Sequence, residues 1–317
     1  MLPAGQQAAI DAGAPAAIVA AMRGQAGVAD VAHYGCKALV AIASIPAGQQ
    51  AAIAADAPAA IVAAMRAHAG DADIAHFGCW ALCNATELRI GQKAAVDADA
   101  PAAIVAAIRA HVGVANVAHN GCWALLNIAF LPAGQQAAID ADAPAAIVVA
   151  MRAHASVTDV ARYGCWALVK IAFLPAGQQA AIDAGAPAAI VAAMRAHVSV
   201  TDVAHYGCLA LVNIALLSAG RQAAIDADAP TIIIAAMCAH VDNATVADVG
   251  CYALENIAYH PAGKAAIIAA GGRDAIAAAL QHASAKKYAD AALAGSRWRR
   301  SKELRVGALP FVELSHL

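Results

Sequence analysis

Glycine recurs at positions 5, 48, 91, 134, 177, 220 and 263, each 43 residues after the last. A chain that repeats one text at a fixed period in the forties builds one supersecondary unit many times over, each copy burying its apolar face against the next. The surrounding text is nearly unchanged between copies. PAGQQAAIDADAPAAIVVAMRAHASVTDVARYGCWALVKIAFL from Pro132 is followed by PAGQQAAIDAGAPAAIVAAMRAHVSVTDVAHYGCLALVNIALL from Pro175. Six full units run from about residue 3 to 260, and a seventh opens at Pro261 and loses the pattern after about 283. The expected organisation is a repeat solenoid over residues 1–283 followed by a degenerate C-terminal cap and basic tail over 284–317.

Composition says what the unit is made of. Alanine, the best intrinsic helix former, accounts for 98 of 317 residues, while aromatics are 4% and charged residues 13%. Strand-rich and disordered readings both fall, because disorder needs low hydrophobicity and high charge. A mean hydropathy of +0.62 invites a membrane reading. Long uncharged stretches such as Ala38 to Ala55 are nevertheless interrupted by Pro46, Gly48, Gln49 and Gln50, short of the roughly 18 apolar residues a span requires. The opening MLPAGQQAAIDAG has no basic and apolar signal pattern. A net charge of −2 gives no electrostatic footprint for nucleic acid. Neither membrane insertion nor nucleic-acid binding is expected.

Each unit punctuates itself into three helices. The first opens at Pro3, Pro46, Pro132, Pro175 or Pro261 and the second at Pro15, Pro58, Pro101, Pro144, Pro187 or Pro230, proline being tolerated at the first helical position. The third is predicted to open at Asp30, Asp73, Asn116, Asp159, Asp202 and Thr245, side chains that accept from the free N–H groups of a helix start.

The third-helix text GCWALCN at Gly78–Asn84 and GCWALLN at Gly121–Asn127 resembles the W-A-L-x-N element of importin-alpha and beta-catenin type armadillo repeats. The AMRAH…GCWAL phrasing is also similar to armadillo segments attached to leucine-rich-repeat kinases. The resemblance covers roughly residues 3–283. It implies an all-α fold, a right-handed α-solenoid of three-helix repeats closed by a degenerate one. It also implies a non-enzymatic scaffold whose third helices line a concave groove for an extended peptide.

Geometry supports such a groove. Trp80 and Asn84, like Trp123 and Asn127, stand four apart and share one helical face. An asparagine amide both donates and accepts, and a tryptophan offers an apolar wall or a cation–π face. Helices stacked about 8–10 Å apart match roughly two to three residues of extended chain at about 3.3 Å each. The pairs are unevenly kept: Lys37 and Ala41 in the first unit, Trp166 and Lys170 in the fourth, Leu209 and Asn213 in the fifth, Tyr252 and Asn256 in the sixth. The resemblance places the main site across units two to four. Lys170 would repel a basic peptide, and these helices carry little acid beyond Glu87 and Glu255. The alternative is that the tryptophans pack between repeats and bind nothing.

Other copied residues invite chemistry and have plainer readings. Cys36, Cys79, Cys122, Cys165, Cys208 and Cys251 occupy one register. They are read as buried free thiols, too far apart to bridge, in a cytoplasmic or nuclear protein. His33, His76, His119 and His205 stand three before a cysteine, an arrangement that suits a soft metal. Pairing with the acid of the first turn is preferred, because Arg162 fills the same place. His68, His111, His154, His197 and His240 close the second helices beside Arg66, Arg109, Arg152 and Arg195, where cations offset the helix dipole. The glycine before each cysteine, Gly35, Gly78, Gly121, Gly164, Gly207 and Gly250, predicts close helix contact, since it otherwise costs up to about 1 kcal/mol.

No catalytic motif and no cofactor fingerprint stands outside the repeat, so no enzyme, cofactor or metal is expected. The end of the chain carries Lys286, Lys287, Arg297, Arg299, Arg300, Lys302 and Arg305 against Asp290 and Glu303. It reads as a polar cap or as a basic arm. Two functions of different class stand open: a peptide-binding adaptor, and a structural or self-associating array within a larger assembly.

Overall fold

A computed structural model describes residues 3–282, which are all-α, with no strand among the described residues. The first unit holds α1 (Pro3–Asp11), α2 (Ala14–Gly24) and α3 (Ala29–Ile42), and the second α4 (Pro46–Ala54), α5 (Ala57–Ala67) and α6 (Ala72–Ala85). The third has α7 (Arg89–Asp97), α8 (Ala100–Ala110) and α9 (Ala115–Ile128), the fourth α10 (Pro132–Asp140), α11 (Ala143–Ala153) and α12 (Thr158–Ile171). The fifth has α13 (Pro175–Asp183), α14 (Ala186–Ala196) and α15 (Thr201–Ile214), the sixth α16 (Ser218–Asp226), α17 (Ala229–Ala239) and α18 (Ala244–Ala258). α19 (Pro261–Ala269) and α20 (Gly272–Ala279) follow. The basic residues from Lys286 onward lie outside the described residues.

Third helices pack against third helices of the units on either side, and second helices likewise form a row of their own. One continuous core runs between the rows, built from alanine, isoleucine, leucine, valine, methionine and the register cysteines. No single helix among the described residues is long and apolar enough to cross a membrane, and the one apolar pair that approaches the length, α16 with α17, bends by 73°.

Two glycine registers set the packing distances. A Cβ on Gly78 would stand 2.6 Å from Met65 Cγ, and one on Gly164 2.7 Å from Met151 Cγ, so second and third helices meet at these glycines as predicted. A Cβ on Gly134 would stand 1.9 Å from the Ile128 carbonyl oxygen, so the first helix of one unit rests directly on the end of the previous third helix. The register cysteines are fully buried. Burial pushes the Cys36, Cys122, Cys208 and Cys251 thiols up to about 12, so they stay protonated and act as small hydrophobes.

Helix starts differ from expectation in two places. Second helices begin one residue before the proline, which sits at the second helical position, and the capping residue is left-handed: Asp56, Asp99, Asp142 and Asp228 at φ 55° to 61°, or glycine at 13 and 185. Third helices begin before Asp30, Asp73, Asn116, Asp159, Asp202 and Thr245, which therefore lie inside the first turn and do not cap it. The true caps are Val28, Asp71, Val114, Val157, Val200 and Asn243, of which only Asp71 and Asn243 accept from backbone N–H groups. Tertiary packing of the apolar face fixes these starts where no polar cap is present.

Candidate functional site

Residues four apart on each third helix form a stripe along one face: Trp80 and Asn84 on α6, Trp123 and Asn127 on α9, Trp166 and Lys170 on α12. The continuation is Leu209 and Asn213 on α15 and Tyr252 and Asn256 on α18. The structure brings these into two rows across adjacent helices, but the rows are not uniform.

The tryptophans divide. Trp80 is 37% exposed and stacks only on rings of its own helix, Phe77 at 6.3 Å and His76 at 5.8 Å between centroids. Trp123 is half-buried and stacks on Tyr163 of the next unit at 5.0 Å, and Trp166 stacks on Tyr206 at 4.4 Å, nearly parallel at 7°. The difference lies in one register. Tyr163 and Tyr206 have Asn120 as their counterpart one unit earlier, so Trp80 has no ring to lie on. Burial raises the Tyr163 and Tyr206 phenols, the latter to about 12. These rings act as neutral packing surfaces.

The asparagines are already engaged. Asn84 Nδ2 donates to the Val40 carbonyl at 3.1 Å, Asn127 Nδ2 to Cys83 at 3.2 Å and Asn213 Nδ2 to Val169 at 3.0 Å. Each bond reaches 44 residues back, joining one third helix to the end of the previous one. Asn256 Nδ2 is buried without a partner. Asn84, Asn127 and Asn213, all buried, thus each spend one of their two N–H donors on the fold.

Lys170 breaks the row. Its ammonium lies 4.2 Å from the centre of the Phe130 ring and 5.5 Å from that of Phe173, a cation–π arrangement. Burial lowers its pKa from the usual amine value. Phe130, Phe173, Leu216 and Tyr259 share one register at the ends of successive third helices, where Ser44 and Glu87 stand in the first two units. Sequence reading passed over this row because it lies beyond the WALxN text, although the 43-residue spacing displays it.

A cavity of about 470 Å³ opens at the first two units, and Trp80, Phe77, Asn84, Lys37, Gln49 and Glu87 line it among others. Gln49 donates to Glu87 across it, and Lys37 lies 5.4 Å over the Phe77 ring. This cavity falls on units one and two, overlapping at the second unit the span of units two to four that the resemblance implies. Phe77 and Gln49 were not among the residues that reading singled out.

The remaining candidates serve the fold. His76 and His119 form no ion pair with a first-turn acid but stack in the aromatic row, His119 on Tyr163 at 5.1 Å and Trp123 at 6.0 Å. Burial holds both imidazoles below the usual value, against the pull of Asp73 and Asp159 respectively. His68, His111, His154, His197 and His240 do more than neutralise their own helix ends. Each ring Nε2 bonds a carbonyl of the preceding unit, at 2.7 Å to Val112 and 2.9 Å to Ala26, Ala69, Ala155 and Val198. Arg23, Arg66, Arg109 and Arg195 instead reach forward to Asp56, Asp99, Asp142 and Asp228 of the next unit. Among the described residues, no three His, Cys, Asp or Glu side chains are grouped to hold a metal.

No protein-family model and no curated protein matches the sequence. Among solved structures 63 chains match. One of them is the crystal structure of an engineered protein, a Northeast Structural Genomics Consortium target. It aligns with a TM-score of 0.65 at 22% identity, covering 77% of this chain and 96% of that one. At that identity the likeness is one of fold, that of an array of packed helices.

Proposed function

We propose that the chain is an armadillo-type, right-handed solenoid that binds an extended peptide along the concave face of its third helices. The observation that carries the reading is the exposed Trp80 beside Asn84 in a cavity of about 470 Å³. A flat apolar ring next to an amide matches the alternation of side chain and backbone in an extended strand. The peptide enters at units one and two and runs toward the aromatic rim of Phe130 and Phe173. The reading is non-enzymatic, and the buried protonated thiols suit a reducing, cytoplasmic or nuclear setting.

Binding of an array of random ten-residue peptides tests this. Trp80→Ala with Asn84→Ala should lower the signal on every bound peptide at least tenfold while helicity by circular dichroism stays unchanged. An undiminished signal sinks the proposal. A second reading, a purely structural array, draws on the stacking of Trp123 and Trp166 between units. It predicts no peptide signal from the unsubstituted protein.

A further inference from the structure

Every third helix from the second unit to the sixth carries asparagine at one register except α12, which carries Lys170. The ammonium there does not repeat its neighbours' hydrogen bond to the previous third helix. It makes no hydrogen bond or ion pair with any described residue, only the two ring contacts to Phe130 and Phe173. The flanking stripes offer no counter-charge. They present Trp123, Asn127 and Phe130 from α9 and Leu209, Asn213 and Leu216 from α15. The acids of the region, Asp159 and Asp202, lie toward the other end of their helices and are taken by Arg162, at 3.2 Å and 3.4 Å. A half-buried cation without an anion is poorly compensated, and a carboxylate supplied from outside would receive a strengthened, charge-assisted hydrogen bond.

We infer that Lys170 determines ligand specificity: it reads a carboxylate side chain, Asp or Glu, in the bound peptide, with apolar residues on either side seated on the rings of Phe130 and Phe173. The inference rests on the peptide-binding reading above and adds the sign of charge at one position. Two features of the site favour an acid flanked by apolar residues over a uniformly acidic chain. The cation stands alone on its stripe apart from the twice-paired Arg162, and the rim beside it is aromatic.

The test uses a positional peptide array: ten-residue peptides, random except for one fixed residue that is Glu, Gln or Lys at each position in turn. The unsubstituted protein should favour Glu over Gln at one position by on the order of tenfold, the effect of one charge-assisted hydrogen bond. Lys170→Asn restores the residue of the neighbouring units, with the Leu126 carbonyl 44 residues back as its natural acceptor. That variant should fold at least as well, by thermal melting, and lose the Glu preference. Lys170→Glu should turn it toward Lys. Binding with no Glu preference, or a preference unchanged in both variants, overturns the carboxylate site and leaves the peptide groove standing. No binding of any peptide by the unsubstituted protein overturns both.

Discussion

The first two units and the middle of the array carry the same text and present different surfaces. In units three to five, Trp123 and Trp166 are closed down by Tyr163 and Tyr206, and the face ends in a rim of phenylalanine and leucine. Trp80 of unit two instead meets Asn120 of unit three, which carries no ring. Trp80 stands open, and the rim residues are Ser44 and Glu87. A single register, read as Phe, Asn, Tyr, Tyr from 77 to 206, decides whether the neighbouring tryptophan is structure or surface. Near-identical repeats therefore do not make identical sites.

The contrast is broken most severely at the glycines. Gly134→Ala would drive a methyl into the Ile128 carbonyl and should cost about 3 kcal/mol or more. Gly5→Ala meets nothing within 4 Å and should be neutral, or stabilise by up to about 1 kcal/mol. Urea unfolding of the two variants measures both; equal effects would refute the inter-unit contact at Gly134. Next in size, Trp166→Ala removes a ring stacked between units and should cost about 2–3 kcal/mol. Trp80→Ala should cost less than about 1 kcal/mol, because its ring is partly exposed already.

Asn120→Tyr would sharpen the comparison by giving Trp80 the partner it lacks. The expected gain is about 0.5–1.5 kcal/mol, with less quenching of Trp80 fluorescence by an aqueous quencher and weaker peptide signal. Unchanged quenching would mean that the open site has another cause.

Acid should weaken the middle before the first unit. Burial lowers the His119 imidazole, Asp159 opposes, and Arg162 and His76 act in the same direction as burial. The unfolded chain then takes up the proton first. Stability is fully present above an unfolded value of about 6.5 and is lost as pH falls through the lower folded value. His119→Gln should therefore lose less of its melting temperature between pH 7.5 and pH 5 than the unsubstituted protein does.

The smallest effect is expected at Asp142→Gly. It relieves a left-handed aspartate at φ 57° and gives up an exposed pair with Arg109, so stability should change by less than about 0.5 kcal/mol.

The period, the helix count per unit, the buried cysteine register and the close approach at Gly78 were legible in the sequence, because each depends on residue type at a fixed repeat position. The use of the asparagines was not. Asn84 can serve a ligand or the Val40 carbonyl, and only the position of the previous helix decides. The third-helix starts misled for a similar reason. Asp30 and its counterparts are good caps by type, yet the apolar face of the helix extends one turn position further and leaves valine at most of the boundaries. The arginines and histidines of the second helices were read as local because their partners lie 33 residues ahead and 42 residues behind, beyond the reach of any window along the chain.

Those cross-unit bonds have a consequence for length. His111 holds Ala69 as His68 holds Ala26, and Asn127 holds Cys83 as Asn84 holds Val40. Excising or inserting 43 residues within these units would rejoin equivalent donors to equivalent acceptors. A change of one copy there would invent no contact, whereas the fourth unit, with lysine in the asparagine row, is the copy whose duplication or loss would alter that row.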